Sequence, residues 1–191
     1  MIVIGLDPGT TTGLAVWDTI ERKLRVVKSC GIVTAMDDVA MWRDHGDRSA
    51  LVIFEDARTL RVTGGRMEEE QKKYGAAVRE GVGSIKRDCA IWEEFLEVLG
   101  LPYQCKKWTR GTTKWDADYF KRITGWEAKT NSHARDAAVI VFGLNQPICA
   151  GIVRAWEEDQ QRKKRSTGKS SAAQSTSASA TLRPFRTAGA G

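Results

Sequence analysis

Ile2-Val3-Ile4-Gly5-Leu6-Asp7-Pro8-Gly9-Thr10-Thr11-Thr12-Gly13-Leu14-Ala15-Val16-Trp17-Asp18 is an apolar run ending in a carboxylate, a Gly/Thr turn, and a second apolar run. Short apolar segments on either side of a Gly-rich turn read as two antiparallel strands, over residues 2–6 and 14–17. Residues 24–33, from Leu24 to Val33, alternate well enough to be a third, so the chain opens on a meander. Asp7 is left at the edge of the first strand, with Gly9 and Gly13 serving the turn.

Working outward, Thr34 or Asp37 caps a short helix that reaches Asp44. Ala50-Leu51-Val52-Ile53-Phe54 is a continuous apolar run of buried-strand type and ends in Glu55-Asp56. Residues 56–75, rich in Arg, Gly and Glu, read as an exposed loop or a mobile helix start. From Val78 to Leu99 the residues Val82, Ile85, Cys89, Ile91, Trp92, Phe95, Leu96 and Leu99 recur at three and four, and Gly100 follows as a cap. This is the longest helix expected. Leu101 to Cys105 reads as a fifth strand, and residues 115–123 as a short helix. Asn131-Ser132 then caps a helix from His133 to about Leu144, which Pro147 stops, and a last helix covers Ile152 to Lys164. Three antiparallel strands followed by alternating units predict an α/β fold, a mixed five-stranded sheet flanked by helices.

Length and charge divide the chain in two. Its 191 residues suffice for one domain with a full core and leave no room for a second large one. Residues 161–191 carry Arg162, Lys163, Lys164, Arg165, Lys169, Arg183 and Arg186 and no acid, so the formal +6 belongs to them and the body is about neutral. The expected division is a folded domain over 1–160 and a basic, Ser/Ala/Thr-rich disordered tail over 161–191. Cys30, Cys89, Cys105 and Cys149 form no C-x-x-C pair, and His45 and His133 lack zinc-site spacing, so structural zinc is not expected. The N-terminal apolar run is about five residues, against roughly 20 needed to span a bilayer, so a soluble, cytoplasmic protein without membrane contact is expected.

Three carboxylates stand where this topology would gather them: Asp7 leaving strand one, Glu55 leaving strand four, and Asp136 one turn into a late helix. Strands one and four are parallel neighbours in such a sheet, and their carboxyl ends open into one crevice. His133 and Asp136, three apart, share a helix face. Taken singly these are ordinary residues: an Asp before Pro-Gly forms turns, and an acid early in a helix favours its dipole. Taken together they suit Mg²⁺ or Mn²⁺, hard ions that prefer oxygen ligands. Two such ions about 4 Å apart activate water and stabilise a leaving 3′ oxygen.

The segment D-P-G-T-T-T-G after the first strand, an apolar strand ending in Glu, and H-A-R-D-A-A opening a late helix resemble, over residues 1–145, the three motifs of the RuvC-type Holliday junction resolvases, especially their phage-encoded relatives. The resemblance implies an RNase H-like nuclease domain over 1–160, in which Asp7, Glu55 and Asp136 hold two Mg²⁺ or Mn²⁺ ions and His133 is a further ligand or activating group. It also implies a homodimer, formed through the helix around 78–99, that grips four-way or branched DNA in a bacterial or phage-infected cell. Such an enzyme serves recombination and repair by nicking opposed strands symmetrically, leaving 5′-phosphate and 3′-hydroxyl ends. For that helix an ordinary core role is the equal alternative. Asp56 rivals Glu55, but alternation lets only one face the crevice, and the match to the motif selects Glu55. Bacterial members wedge an aromatic into the junction shortly after this Glu. Here Glu55-Asp56-Ala57-Arg58-Thr59-Leu60-Arg61 offers Arg58, Leu60 or Arg61 instead.

Arg58, Arg61, Arg66, Lys72 and Lys73 follow Glu55 and are the first candidates for phosphate contacts, although Glu68, Glu69 and Glu70 could balance them in a solvated loop. Lys106, Lys107, Arg110 and Lys114, interleaved with Trp108 and Trp115, form a second candidate patch. From it Lys107 and Arg110 are taken as DNA contacts. The resemblance implies a catalytic lysine in this region, and Lys114 is taken for that role. The rival from another class is an ATP-binding protein of the sugar-kinase/actin type, in which D-x-G-T-T is a phosphate loop. That class needs a second copy of the domain, for which this chain is too short. A non-catalytic junction-binding protein is the remaining alternative, and the presence of all three acids and the histidine argues against it.

Overall fold

The structure is a computed structural model that describes residues 1–43, 49–56, 58, 66–107 and 114–177, with side chains outside 66–82 and 167–177. Strands β1 (Ile2–Asp7), β2 (Thr12–Asp18) and β3 (Lys23–Cys30) form the meander. Helix α1 (Ile32–Arg43) follows, and β4 (Ala50–Asp56) returns parallel to β1. Helix α2 (Arg66–Leu99) leads to β5 (Tyr103–Lys107), parallel to β4. Helices α3 (Ala117–Thr124), α4 (Ser132–Val141) and α5 (Gln146–Ser177) complete the chain. The sheet order is β3-β2-β1-β4-β5. The α/β architecture read from the sequence, a mixed five-stranded sheet flanked by helices, is the one observed.

Both faces of the sheet are covered, which is why β1 and β4 are apolar at successive positions rather than at alternate ones. Ile4, Leu6, Val52 and Phe54 turn toward α1 and α2, where Val39, Trp92 and Leu96 close the first layer. Val3, Leu51 and Ile53 turn the other way and meet Phe120 of α3 and Ala134, Ala137, Ala138 and Val141 of α4. Helix α5 starts in this second layer, with Cys149, and reaches the first layer at Trp156, whose ring meets that of Tyr103 edge-on. It therefore passes round the β5 edge of the sheet, and Lys163 fastens it to Glu97 of α2 at 3.5 Å. A covered edge cannot recruit a foreign strand.

Several boundaries differ from the sequence reading. Ile32 and Val33, read as strand, open α1, because Gly31 ends the β3 pairing and the Ala35 amide bonds back to the Gly31 carbonyl. Helix α2 begins at Arg66, twelve residues before the periodic stretch, so of the two readings of 56–75, loop or helix start, 66–75 take the helix. Helix α4 stops at Val141. Phe142 leaves helical geometry and Gly143 takes φ 79°, so the stop lies there, and Pro147 sits in the first turn of α5, where its missing N–H is no loss. Residues 166–177, read as disordered tail, continue α5 as helix.

Among the described residues no single helix is long and apolar enough to cross a membrane. Helices α4 and α5 satisfy that test only as a pair bent by 89°, and the apolar face of α4 is already taken by the sheet.

Candidate active site

Parity along the strands decides which acids meet. Leu6 is paired with Phe54, so Asp7 and Glu55 each stand one step beyond a matched pair. Both have odd numbers, like Val3 and Ile53, and both turn toward α4. Asp56 turns to the opposite face. Alternation thus agrees with the choice of Glu55 over Asp56.

Helix α4 comes down onto the sheet at two glycines. A Cβ on Gly5 would lie 2.2 Å from the Ala137 carbonyl oxygen, and one on Gly13 would lie 2.0 Å from that of His133. Gly13 is therefore not a turn glycine: it lies in β2 opposite Asp7, and its lack of a side chain lets the first turn of α4 rest on the strand. The small face Ala134, Ala137 and Ala138 completes this close approach. Asn131 fixes the start of the helix, accepting the Ala134 amide at 3.0 Å while its side-chain amide donates to Ser29 Oγ of β3 at 2.6 Å.

So held, α4 delivers His133 and Asp136 to the carboxyl ends of β1 and β4. His133 Nδ1 lies 2.8 Å from Asp7 Oδ2. With Asp7 ionised the proton of this bond sits on Nδ1. Lys114 Nζ lies 3.4 Å from Asp136 Oδ2. Among the described residues nothing bonds the Glu55 carboxylate. Burial, reinforced by the charges of Asp7 and Asp136, pushes its carboxyl up to about 7, against weaker opposition from Lys106 and Lys114. Asp7 is also raised, by burial and by Asp136, although the His133 hydrogen bond pulls the other way. Asp7, Glu55, Asp136, Lys114 and Lys106 therefore feel one another's charge.

Among the described residues no three His, Cys, Asp or Glu side chains stand close enough to share one ion. In this arrangement Asp7 is engaged by His133 and Asp136 by Lys114. The donor set itself fits a hard divalent ion: three carboxylates and an imidazole, with two of the acids raised by burial and mutual repulsion that a cation would relieve. The opening turn fits a phosphate less well. Thr12 is buried and its hydroxyl donates to the Gly9 carbonyl at 3.1 Å, so it braces the turn from within.

The remaining sequence candidates fall in different places. Arg58 is fastened to Asp56, with Nε to Oδ1 at 2.8 Å, and to Glu93 of α2. Lys107 is paired with Asp56, on the face away from the crevice, whereas Lys106 is paired with Glu55 and belongs to it. The sequence reading takes Lys107 from this patch, whereas the pairing favours Lys106. The signal was the parity of β5, where Tyr103 and Cys105 face the first layer and so turn Lys106 to the second. Trp115 is a packing residue, its ring against those of Tyr119, Phe120 and Phe142. Arg61, Trp108 and Arg110 lie outside the described residues. Arg66, Lys72 and Lys73 fall on α2, and their side chains lie outside the described ones.

In α2, Cys89, Trp92 and Leu96 are buried against the sheet, while Ile85, Ile91 and Val98 are exposed, Val98 to 80%. The helix thus serves the core with one stripe, which Ile85 continues, and carries Ile91 and Val98 outside it. Comparison of the chain with protein-family models, with curated proteins and with solved structures finds no match.

Proposed function

We propose that the protein is a structure-selective endodeoxyribonuclease of RuvC type that resolves Holliday junctions or related branched DNA by divalent-metal-dependent hydrolysis. The observation that carries this reading is that Asp7, Glu55 and Asp136, with His133 bonded to Asp7, stand within reach of one another's charge beside the carboxyl ends of two parallel strands. Asp7, Glu55, Asp136 and His133 would hold the metal, Mg²⁺ or Mn²⁺. When bound, it supplies positive charge for the attacking and leaving oxygens of a phosphodiester. His133 Nδ1–H orients Asp7, and Lys106 and Lys114 at the rim attract the scissile phosphate and offset the charge that builds on it. In the reaction a water oxygen joins phosphorus, the P–O3′ bond breaks, and a proton passes to the leaving oxygen. The products are a 5′-phosphate and a 3′-hydroxyl.

A homodimer is part of the proposal, because symmetric nicking needs two crevices. The exposed Ile91 and Val98, seven residues apart on one face of α2, support a second copy there. The test is a gel assay of the full chain on labelled four-way junction, fork, flap and linear duplex, each with Mg²⁺ and with Mn²⁺, alongside ATP hydrolysis. Metal-dependent nicking that favours branched substrates is expected. No nicking on any branched substrate, or ATP turnover in its place, would refute the proposal.

A further inference from the structure

Between His133 and Asp136, which enter the crevice, Arg135 points elsewhere. Its half-buried guanidinium reaches two segments outside α4. Nε–H donates to the Trp115 carbonyl at 2.9 Å, and Nη1–H donates to the Thr130 carbonyl at 3.0 Å and the Thr130 hydroxyl at 3.3 Å. A planar guanidinium has its donors in set directions, so bonding carbonyls from two segments fixes where both lie relative to the helix. Thr130 leads directly into the Asn131 cap. Trp115 directly follows Lys114.

Lys114 needs such support. Its side chain is 76% exposed, yet its ammonium lies beside Asp136. An exposed lysine has many rotamers, and an exposed ion pair by itself holds it weakly. What limits its range is the placement of its backbone. Both restraints act through the neighbouring Trp115: its ring packs on Phe120 and Phe142, and its carbonyl accepts from Arg135.

We propose that Arg135 is a positioning residue, stapling the Trp115 and Thr130 carbonyls to α4 and thereby holding the Lys114 ammonium at the Asp136 carboxylate. The consequence for phosphodiester cleavage rests on the nuclease reading above; the placement of Lys114 does not.

The test reads Lys114 directly in the full chain, by competitive labelling of lysines with an amine-reactive reagent and peptide mass spectrometry. In Arg135→Met the labelling rate of Lys114 should rise about threefold, as in Asp136→Asn, as the ion pair is lost. Lys23, Lys28 and Lys121 should label as in the wild type. Unchanged labelling of Lys114, or an equal rise at every lysine, overturns the proposal. Should Arg135→Met fail to fold, Arg135→Lys replaces it, since one ammonium cannot span both carbonyls, and the same rise at Lys114 alone is required. Nicking supplies a second readout. Arg135→Met should slow it about tenfold in the wild type and add almost nothing in a Lys114→Met background, whereas additive losses overturn the route through Lys114. A wild-type chain that nicks nothing would sink the nuclease reading and leave the labelling result standing.

Discussion

Glu55 and Asp56 are adjacent on β4, and the pleat sends them to opposite faces of the sheet. Asp56 enters a paired network. Arg58 donates to it from side chain and backbone and continues to Glu93, while Glu93 and Glu97 of α2 both lie 3.1 Å from the Tyr103 hydroxyl. Burial alone would push Asp56 up, but the Arg58 bonds and charge outweigh it and hold its carboxyl below the usual range. Among the described residues Glu55 has no such partner; burial and the charges of Asp7 and Asp136 push it up to about 7. One carboxylate is paired within the protein, and among the described residues its neighbour is not. Side by side on one strand, they separate a group engaged in structure from the group that the proposed nuclease reading assigns to chemistry.

Substitution on the two faces should therefore separate activity from stability. The largest effect expected is on nicking: Asp7→Asn and Glu55→Gln should each lower the rate by on the order of a thousandfold while leaving junction affinity in a gel-shift assay almost unchanged. Equal loss of affinity would make these acids structural and dissolve the contrast. Within the same assay His133→Ala should cost less than Asp136→Asn, because a neutral imidazole offsets less of the charge of a hard cation than a carboxylate does. Next in size is Gly13→Ala. The new Cβ must displace α4, so chemical denaturation should show a loss of about 1–3 kcal/mol, together with slower nicking as His133 leaves Asp7.

Asp56→Asn weakens the bonds to Arg58 and should cost about 1 kcal/mol by urea denaturation, with the nicking rate per folded molecule unchanged. A fall in rate larger than the fall in folded fraction would put Asp56 in the chemistry after all.

The smallest effect is also the most specific, since the two neighbours should bend the pH profile in opposite senses. Asp56 has a depressed folded pKa, so its contribution is present above the unfolded value of 3.8 and is lost as pH falls. Glu55 has a raised folded pKa, so its contribution is present below 4.5 and is lost as pH rises toward about 7. The metal-free protein should accordingly lose a few degrees of Tm between pH 5 and pH 8. Glu55→Gln should flatten that slope, and Mg²⁺ should reverse it. A Tm as pH-dependent in Glu55→Gln as in the wild type would remove Glu55 as its source.

What the sequence made readable follows from the same geometry. Apolar runs such as Ile2 to Leu6 and Ala50 to Phe54 declare buried strands, and the acids that end them can be placed by counting parity. The capping pair Asn131-Ser132 announces α4, and with it His133 and Asp136. Parity in β5 is hard to use, because five residues with Lys106 and Lys107 at the end carry little alternation, and the sequence alone does not single out Lys106 as the lysine paired with Glu55. Gly13 looks like a turn glycine until a helix is seen resting on it, a contact between residues far apart in the chain. The bond from Arg135 to Trp115 is of the same kind. The start of α2 stays open between loop and helix because Arg66 to Tyr74 is polar almost all round, without the apolar stripe by which a helix is recognised.

The path of α5 round the β5 edge bears on the order in which the protein can be made. Strand β5 leaves the ribosome before Cys149, Trp156 and Lys163, so during synthesis the backbone groups on its outer side are bare while some fifty residues are still to come. In that interval the nascent sheet can accept a strand from a neighbouring polypeptide. Slow translation across 108–156 should therefore raise the yield of insoluble product, and a chain cut before Trp156 should remain in that adhesive state.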